Sequence, residues 1–288
     1  MTVTGGGPSP LVQRRRLRGG LRQARQDAGL SQEHVATAMD WSLSKVIRIE
    51  NGATGISTND LRALLRLYQI TDPAQVQDLI ELARSARERS WWSTYKDAAS
   101  SDFLRYVEQE ASASAIRFYE HIVIHGLLQT EEYAALVIRE FSDERHTGRQ
   151  VDRRIELRLK RQELLARAHP PALILLHDEA ALRRRVGSPA VMRRQLKHLA
   201  ELADRPNLTL EVMPFTAGVR DGVGEAFAVL DFPGTDDPVL FLEPHDTVRE
   251  DRSEQVAKYE ERFQRLRAAS PGPDGSASLT RSIARTMR

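Results

Sequence analysis

The sequence predicts two domains of different class. An all-α N-terminal domain of five helices containing a helix-turn-helix is followed by a mixed α/β (α+β) domain. Three observations predict this. Residues 29–52, GLSQEHVATAMDWSLSKVIRIENG, hold two helix starts separated by a tight turn. From residue 12 to about 90, apolar residues recur three and four apart, the spacing of amphipathic helices. Beyond Trp91, short apolar and alternating runs interleave with charged helical stretches over 91–269, the pattern of a single domain of strands and helices.

Residues 1–11 are rich in Gly and Pro and are expected to form an arm without fixed structure. Residues 12–90 form the N-terminal domain. Its first helix is expected from Val12 to Ala28, with Leu17, Leu21 and Ala24 facing inward. Gly19 and Gly20 lie inside it, each costing roughly 1 kcal/mol against Ala, and Gly29 supplies the C-cap. Ser31 starts the second helix, which turns inward Val35 and Ala36; Met39, Asp40 and Trp41 form the turn. Ser42 starts the third, with Val46 and Ile49 inward and a stop at Asn51-Gly52. Ser57 caps a fourth helix using Leu61, Leu64, Leu65 and Tyr68. Asp72-Pro73 opens a fifth through Val76, Leu79, Ile80 and Ala83 to about Arg89.

In 91–269, Ile116, Phe118 and Glu120 alternate and Ile122–Ile124 is an apolar run, so both read as strands. Thr130 followed by Glu131 and Glu132 is a helix start, a hydroxyl cap with acids at the positive end of the dipole. A charged helix is expected over Val151–Ala168, broken by Pro170-Pro171. Strands follow at 172–176, 208–212, 227–232 and 239–242, with helices over Pro189–Ala203 and Ser253–Ala268. SPGPDGSAS (270–278) reads as a linker, and Leu279, Ile283 and Met287 as one face of a short terminal helix within 270–288.

Composition narrows the function. Hydrophobic residues are 41% of the chain, yet no apolar run approaches the ~18 residues of a membrane span. Zero cysteines exclude disulfides, thiolate metal sites and cysteine nucleophiles. The N-terminus MTVTGGGPSP lacks the apolar core of a signal peptide, so a cytoplasmic, nucleoid-associated protein is expected. Net charge is +2, unevenly spread: residues 1–90 carry 13 Lys/Arg against 9 Asp/Glu, residues 91–270 carry 26 against 30. A basic head on an acidic body suits a nucleic-acid-binding module joined to a domain with another task.

The 29–52 layout is the one needed to read duplex DNA, where one helix braces on phosphates and the next carries side chains to base edges. Gln32, at the second position of the bracing helix, can grip a phosphate. With Val46 and Ile49 inward, the outward set of the reading helix is Ser42, Leu43, Ser44, Lys45 and Arg48. Arg48 is the candidate for a bidentate guanine contact, typically about 1–3 kcal/mol of discrimination. Lys45 reaches a base or a phosphate, and Leu43 packs on a thymine methyl or senses shape. A single such helix reads few base pairs, so a homodimer on an inverted-repeat operator is expected.

Gly29, Ser31, Gln32, Ala36, Ser44, Glu50, Asn51 and Gly52 resemble the pattern of the Xre/Cro-type helix-turn-helix family over roughly residues 14–70. The resemblance implies phosphate contacts from Gln32 and Asn51, base contacts from Ser44, Lys45 and Arg48, and a structural ion pair between Arg25 and Glu50. Asp40 stands where that family has Gly, tolerable because Asp enters the left-handed region more readily than most residues. Ala24 replaces a usual Leu. The remainder resembles the WhiJ-like actinobacterial regulators. The strings that carry it are GLLQTEEYA (126–134), RRIELRLKRQELL (153–165), DEAALRRRVG (178–187), MRRQLKHLAELADRPNLTLEVMPF (192–215) and EAFAVLDFP (225–233). His125 replaces that group's usual Pro. The resemblance implies a C-terminal domain that receives a small BldB-like protein partner and so modulates DNA binding.

Other candidates in the second domain are weighed against plainer readings. His121 and His125 are four apart, a metal-ligand spacing on a helix, but their context reads as strand. His177-Asp178-Glu179 and Glu243, His245, Asp246 could supply acids, bases or oxygen ligands; each lies at a strand end where acids commonly cap. Arg183-Arg184-Arg185 and Arg193-Arg194 are charge runs that are usually solvated. GVRDGVGEAF (218–227) lacks the strand-to-helix context of a phosphate loop. Trp91, Trp92 and Tyr95 could wall a ligand, though packing at the domain junction is the simpler role. No catalytic constellation stands out, so no enzyme activity, metal or cofactor is expected. The expected protein is a transcription regulator, read as a repressor, with a partner-receiving C-terminal domain. The alternatives are a small-molecule sensor or an antitoxin-like member of a two-gene module; a DNA-tethered enzyme is the least supported.

Overall fold

Serine and aspartate side chains set the helix starts of the first domain. The computed structural model describes residues 10–51, 54–86, 90–233, 237–242, 249–251 and 255–287. Five helices open the chain: α1 (Pro10–Asp27), α2 (Gln32–Ala38), α3 (Leu43–Glu50), α4 (Thr58–Leu67) and α5 (Pro73–Ser85). The Ser31, Ser42 and Ser57 hydroxyls accept from the third amide beyond each, and Asp72 from Ala74 and Gln75. Each such cap is worth about 1 kcal/mol. Three left-handed residues bend the chain between helices: Gly29 at φ 68, Asp40 at φ 53 and Gln69 at φ 59. Leu21, Val35, Val46, Ile49, Leu61 and Ile80 share one core. Gly20 sits where an added Cβ would lie 3.3 Å from Leu79 Cδ2, so its lack of a side chain lets α1 and α5 approach. The fifth helix ends at Ser85, short of the expected Arg89. Residues 1–9, Gly52 and Arg89 lie outside the described residues.

Contacts divide the chain after Trp91. The second unit holds α6 (Ser101–Glu110), β1 (Ala115–Glu120), α7 (Glu131–Glu140), α8 (Gly148–Gln162), β2 (Ala172–Asp178), α9 (Glu179–Arg183), α10 (Pro189–Leu202) and β3 (Leu208–Met213). It continues with β4 (Phe227–Asp231), β5 (Val239–Leu242), β6 (Arg249–Asp251), α11 (Gln255–Arg267) and α12 (Gly272–Thr286). The six strands form one sheet in the order β3-β2-β1-β4-β5-β6. β1, β2 and β3 are parallel, and β4 turns antiparallel against β1 to begin a meander. The fold is therefore α+β, as the interleaved patterns predict.

Alternation along the strands sorts the side chains onto two faces. Ile116, Phe118, Leu173, Leu175, Leu210 and Phe241 join the larger core, with Tyr133 of α7 and Leu196 and Leu199 of α10. Tyr119, Leu176, Phe227, Val229 and Leu240 face the other way and are covered by Tyr259, Phe263 and Leu266 of α11. On that face Arg117 pairs with Asp231 and Glu260, and buried Glu211 with Arg267.

Four expectations are corrected. Residues 122–124 are not a strand: Glu120 Oε1 accepts from the His121 and Ile122 amides, and the Tyr133 hydroxyl accepts from the Ile124 amide, so side chains replace a sheet partner. The expected linker 270–278 is mostly the start of α12. Its small residues let it lie along the edge strand, where the buried Ser276 hydroxyl accepts from the Val212 amide at 2.8 Å. A covered edge strand cannot pair with another chain. α6 was not foreseen, although Ser100 caps it by accepting from the Phe103 amide. The charged helix α8 begins at Gly148, three residues early, because Thr147 and Gln150 close a capping box.

Candidate DNA-contacting surface and a cavity in the second domain

The helix-turn-helix pair is locked from inside by one carboxylate. Glu50, 2% exposed, accepts from Arg25 Nε at 2.6 Å, Arg25 Nη2 at 3.2 Å and Gln32 Nε2 at 2.7 Å. Arg25 Nη1 also donates to the Leu30 carbonyl, tying α1 to the loop before α2. The hydrogen bond to Glu50 raises the Arg25 pKa. Gln32 thus spends one amide hydrogen on Glu50 and keeps a second for another acceptor.

On α3, Val46 and Ile49 are buried while Ser42, Leu43, Ser44 and Arg48 are exposed. Lys45 is not fully exposed as expected: its Nζ sits 3.7 Å from the Trp41 ring centroid and 3.3 Å from Asp60 Oδ2. The ammonium is held beside the reading face by a ring and an acid, both on the protein side. Asn51 caps α3, and its Oδ1 accepts from Arg22 Nη2 at 3.4 Å. Arg22, on α1, was not singled out from sequence. Its exposed position on the outer face of an amphipathic helix carries no signal until α1 is placed against the end of α3.

In the second domain the candidate residues resolve mainly into structural roles. The Asp178 carboxylate caps α9 by accepting from the Ala180 amide. Glu179 accepts from Arg183 and from the Phe215 amide. His177, wholly buried, accepts through Nε2 from the His125 amide at 3.0 Å, so its neutral form carries the proton on Nδ1. Burial lowers its pKa to about 4. His125 is lowered well below its ordinary value by burial first, then by Arg161, His177 and Arg158. His121 stacks on Tyr119. Arg184 donates to the Ile122 carbonyl, Arg193 to that of Met287, and Arg194 to Glu132. Glu243, His245 and Asp246 lie outside the described residues.

What the sequence reading missed is a cavity of about 630 Å³ at the carboxyl end of β1. Its walls are the 120–126 loop, α6, α7, α8 and residues 224–226 before β4. Ligands in crossover-built sheets favour such a place, beyond strand ends where connections part. Two of the sequence strings meet here. From GLLQTEEYA, Gln129 donates to the Ile124 carbonyl and accepts from Arg158 Nη1 at 3.0 Å. From RRIELRLKRQELL, Gln162 donates to the Gly126 and Gln129 carbonyls. Arg158 lies across Gly126, where an added Cβ would come within 3.0 Å of it. Arg154, Arg158 and Arg161 all line the cavity, at the spacing that puts them on one side of α8. Arg161 is bound bidentately to Glu110, both nearly buried. Trp91, Trp92 and Tyr95 are not in the lining, whose aromatic residues are Phe103 and Phe141.

A family model described as a domain of unknown function (DUF5753) matches residues 103–282, more than half of the chain. The chain belongs to the DUF5753 family. In this DUF5753 protein a second model, a helix-turn-helix domain, matches residues 16–79, spanning the capped pair α2–α3. The chain is a helix-turn-helix DNA-binding regulator. No curated protein and no solved structure matches it. Among the described residues no helix is long and apolar enough to cross a membrane.

Proposed function

We propose that this DUF5753 protein is a sequence-specific transcription regulator of the Xre/Cro type, of the WhiJ-like group, that works in the cytoplasm as a homodimeric repressor on an inverted-repeat operator. The observation that carries the reading is the exposed row Ser42, Leu43, Ser44 and Arg48 on a helix whose other face is buried and whose ends are capped. Arg48 reads a guanine, Lys45 leans on Trp41 at the edge of the same face, and Gln32, Asn51 and Arg22 hold phosphates. Selection of operator fragments from a random duplex library tests this. Two half-sites about 34 Å apart, one turn of B-DNA, are expected. Enrichment of a lone half-site, or a monomer in sedimentation with the selected operator, overturns the dimer.

The DUF5753 domain is proposed to act as a receptor without catalytic activity. In the first reading it takes a small BldB-like protein; exposed Phe215, Val219 and Val223 around one loop support a docking surface. In the second it takes a small molecule, which the cavity beyond β1 favours, since ligand sites commonly enclose about 300–1,000 Å³. Either way the effector acts only through differential affinity for two arrangements of the protein, with a coupling of about 1–3 kcal/mol.

A further inference from the structure

We propose that Asp60, with the Trp41 ring, is a positioning residue that turns Lys45 from a phosphate-seeking charge into a directed donor for one base of the operator. The proposal rests on the reading of α3 as the helix that enters the major groove, and names how one of its side chains contributes specificity.

The clamp joins three short segments. Lys45 Nζ lies 3.3 Å from Asp60 Oδ2 and 3.7 Å from the centroid of the Trp41 ring. Each partner is fixed by its own backbone. The Trp41 amide donates to the Ala36 carbonyl at 2.8 Å, and its ring packs against the core of the first domain. The Asp60 amide donates to Ser57 Oγ at 2.9 Å, which sets the carboxylate in the first turn of α4. There the positive end of the helix dipole favours its charge. Lys45 also starts from a fixed point, since its amide donates to Ser42 Oγ at 3.2 Å.

Charge and direction give the clamp its effect. A free lysine is a hydrated point charge on a flexible stem, suited to any phosphate within reach. Beside Asp60 the pair is close to neutral, so it adds little to the attraction that all duplexes share. An ammonium has three N–H donors. Asp60 takes one and the ring covers another side, which leaves the remaining donor capacity in a restricted direction. The Lys45 side chain is 34% exposed, so a base edge can reach it. Guanine O6 and N7 are the major-groove acceptors that a lysine matches. Arg48 is exposed one turn further along α3, so the two cations address nearby base pairs.

The test uses the full-length protein with a selected operator duplex and a scrambled duplex of equal length, each titrated over a range of salt concentrations. The Lys45 and Asp60 side chains are 34% and 37% exposed, so exchanging either leaves the fold intact. On scrambled DNA, Lys45→Gln alone should leave affinity and salt slope nearly unchanged. Asp60→Asn should bind it roughly three to ten times tighter, with a slope steeper by about 0.9, the value of one added phosphate contact. Trp41→Leu should steepen the slope by less, because the carboxylate remains. The double variant Asp60→Asn/Lys45→Gln should lose the gain, and Asp60→Glu should keep wild-type behaviour in part. On an operator library, Lys45→Gln should relax preference at one base position near the one read by Arg48. An equal gain from Asp60→Asn in the Lys45→Gln background would show that the carboxylate acts through its own repulsion of phosphates, and overturns the proposal. So does an unchanged slope in both Asp60→Asn and Trp41→Leu, or a Lys45→Gln variant that weakens every sequence alike. A wild-type protein that enriches no operator overturns the sequence-specific reading and the directed donor with it, whereas operator selection together with an additive cycle overturns the clamp alone.

Discussion

Removing Arg25 should open the helix-turn-helix without touching the reading face. Glu50 is 2% exposed and receives two of its three hydrogen bonds from Arg25, leaving only the Gln32 amide after Arg25→Ala. Breaking a buried ion pair from one side costs about 3–5 kcal/mol, because a carboxylate stays buried without its countercharge. Arg25 is 13% exposed, so water re-enters at its side and the lower end, about 3 kcal/mol, applies. At about 1.4 kcal/mol per factor of ten, that loss speeds the opening of the protected amides of α2 and α3 by roughly a hundredfold. Hydrogen exchange of the full-length protein measures it. Glu50→Gln should lower the cost by removing the charge, and the double variant Arg25→Ala/Glu50→Gln should be less destabilised than the sum of the two. Arg48→Ala, an exposed change, should shift the same amides by less than about 0.5 kcal/mol. Strict additivity, or a cost below about 1 kcal/mol for Arg25→Ala, refutes the argument that Glu50 is held as a buried ion.

His177 makes the second domain acid-sensitive. Its folded pKa of about 4 lies below the ordinary 6.5, so the unfolded chain binds the proton first and stability falls as pH drops from 6.5 toward 4. Between pH 7 and 4.5 the loss from His177 alone is on the order of 2 kcal/mol; His125, lowered in the same direction, adds to it. Denaturant unfolding of that domain across this range is the check, and a flat profile contradicts it. On an operator library, Arg48→Ala should relax preference at one base position while Gln32→Ala weakens all sequences alike; identical profiles would reverse the role assignment. Gly187→Ala should destabilise the second domain by about 2 kcal/mol or more, since Gly187 stands at φ 64 and an added Cβ would come 2.6 Å from Leu136 Cδ1. Thermal unfolding measures this, and an unchanged midpoint would show that the loop relaxes freely.

Local chemistry was legible wherever a residue acts on its own helix. Ser31, Ser42, Ser57, Asp72 and Thr130 each cap the helix expected of them. Asp40 takes the left-handed turn despite not being Gly. The strands 208–213 and 239–242 follow from apolar runs bounded by turn residues. Composition misled where burial reverses its meaning. Residues 272–278, with their Gly, Ser and Ala, read as a linker, yet small side chains are what allow α12 to seat Ser276 against the edge strand. Ile122–Ile124 read as a strand because apolarity reports burial, not which partner takes the backbone hydrogen bonds.

The sequence by itself determined the class of both domains and the outward row Ser42, Leu43, Ser44 and Arg48, since caps and periodicity are properties of residues a few positions apart. Only the tertiary structure decided that Lys45 is drawn against Trp41 and Asp60, that Arg22 joins the end of α3, and that Arg154 and Arg158 stand with Phe103 and Phe141 around one cavity. Apart from the Trp41 contact, which lies one turn from Lys45, those arrangements join separate segments, 15 residues apart for Lys45 with Asp60 and 29 for Arg22 with Asn51, and their partners are chosen by how the layers pack, which no short-range pattern encodes.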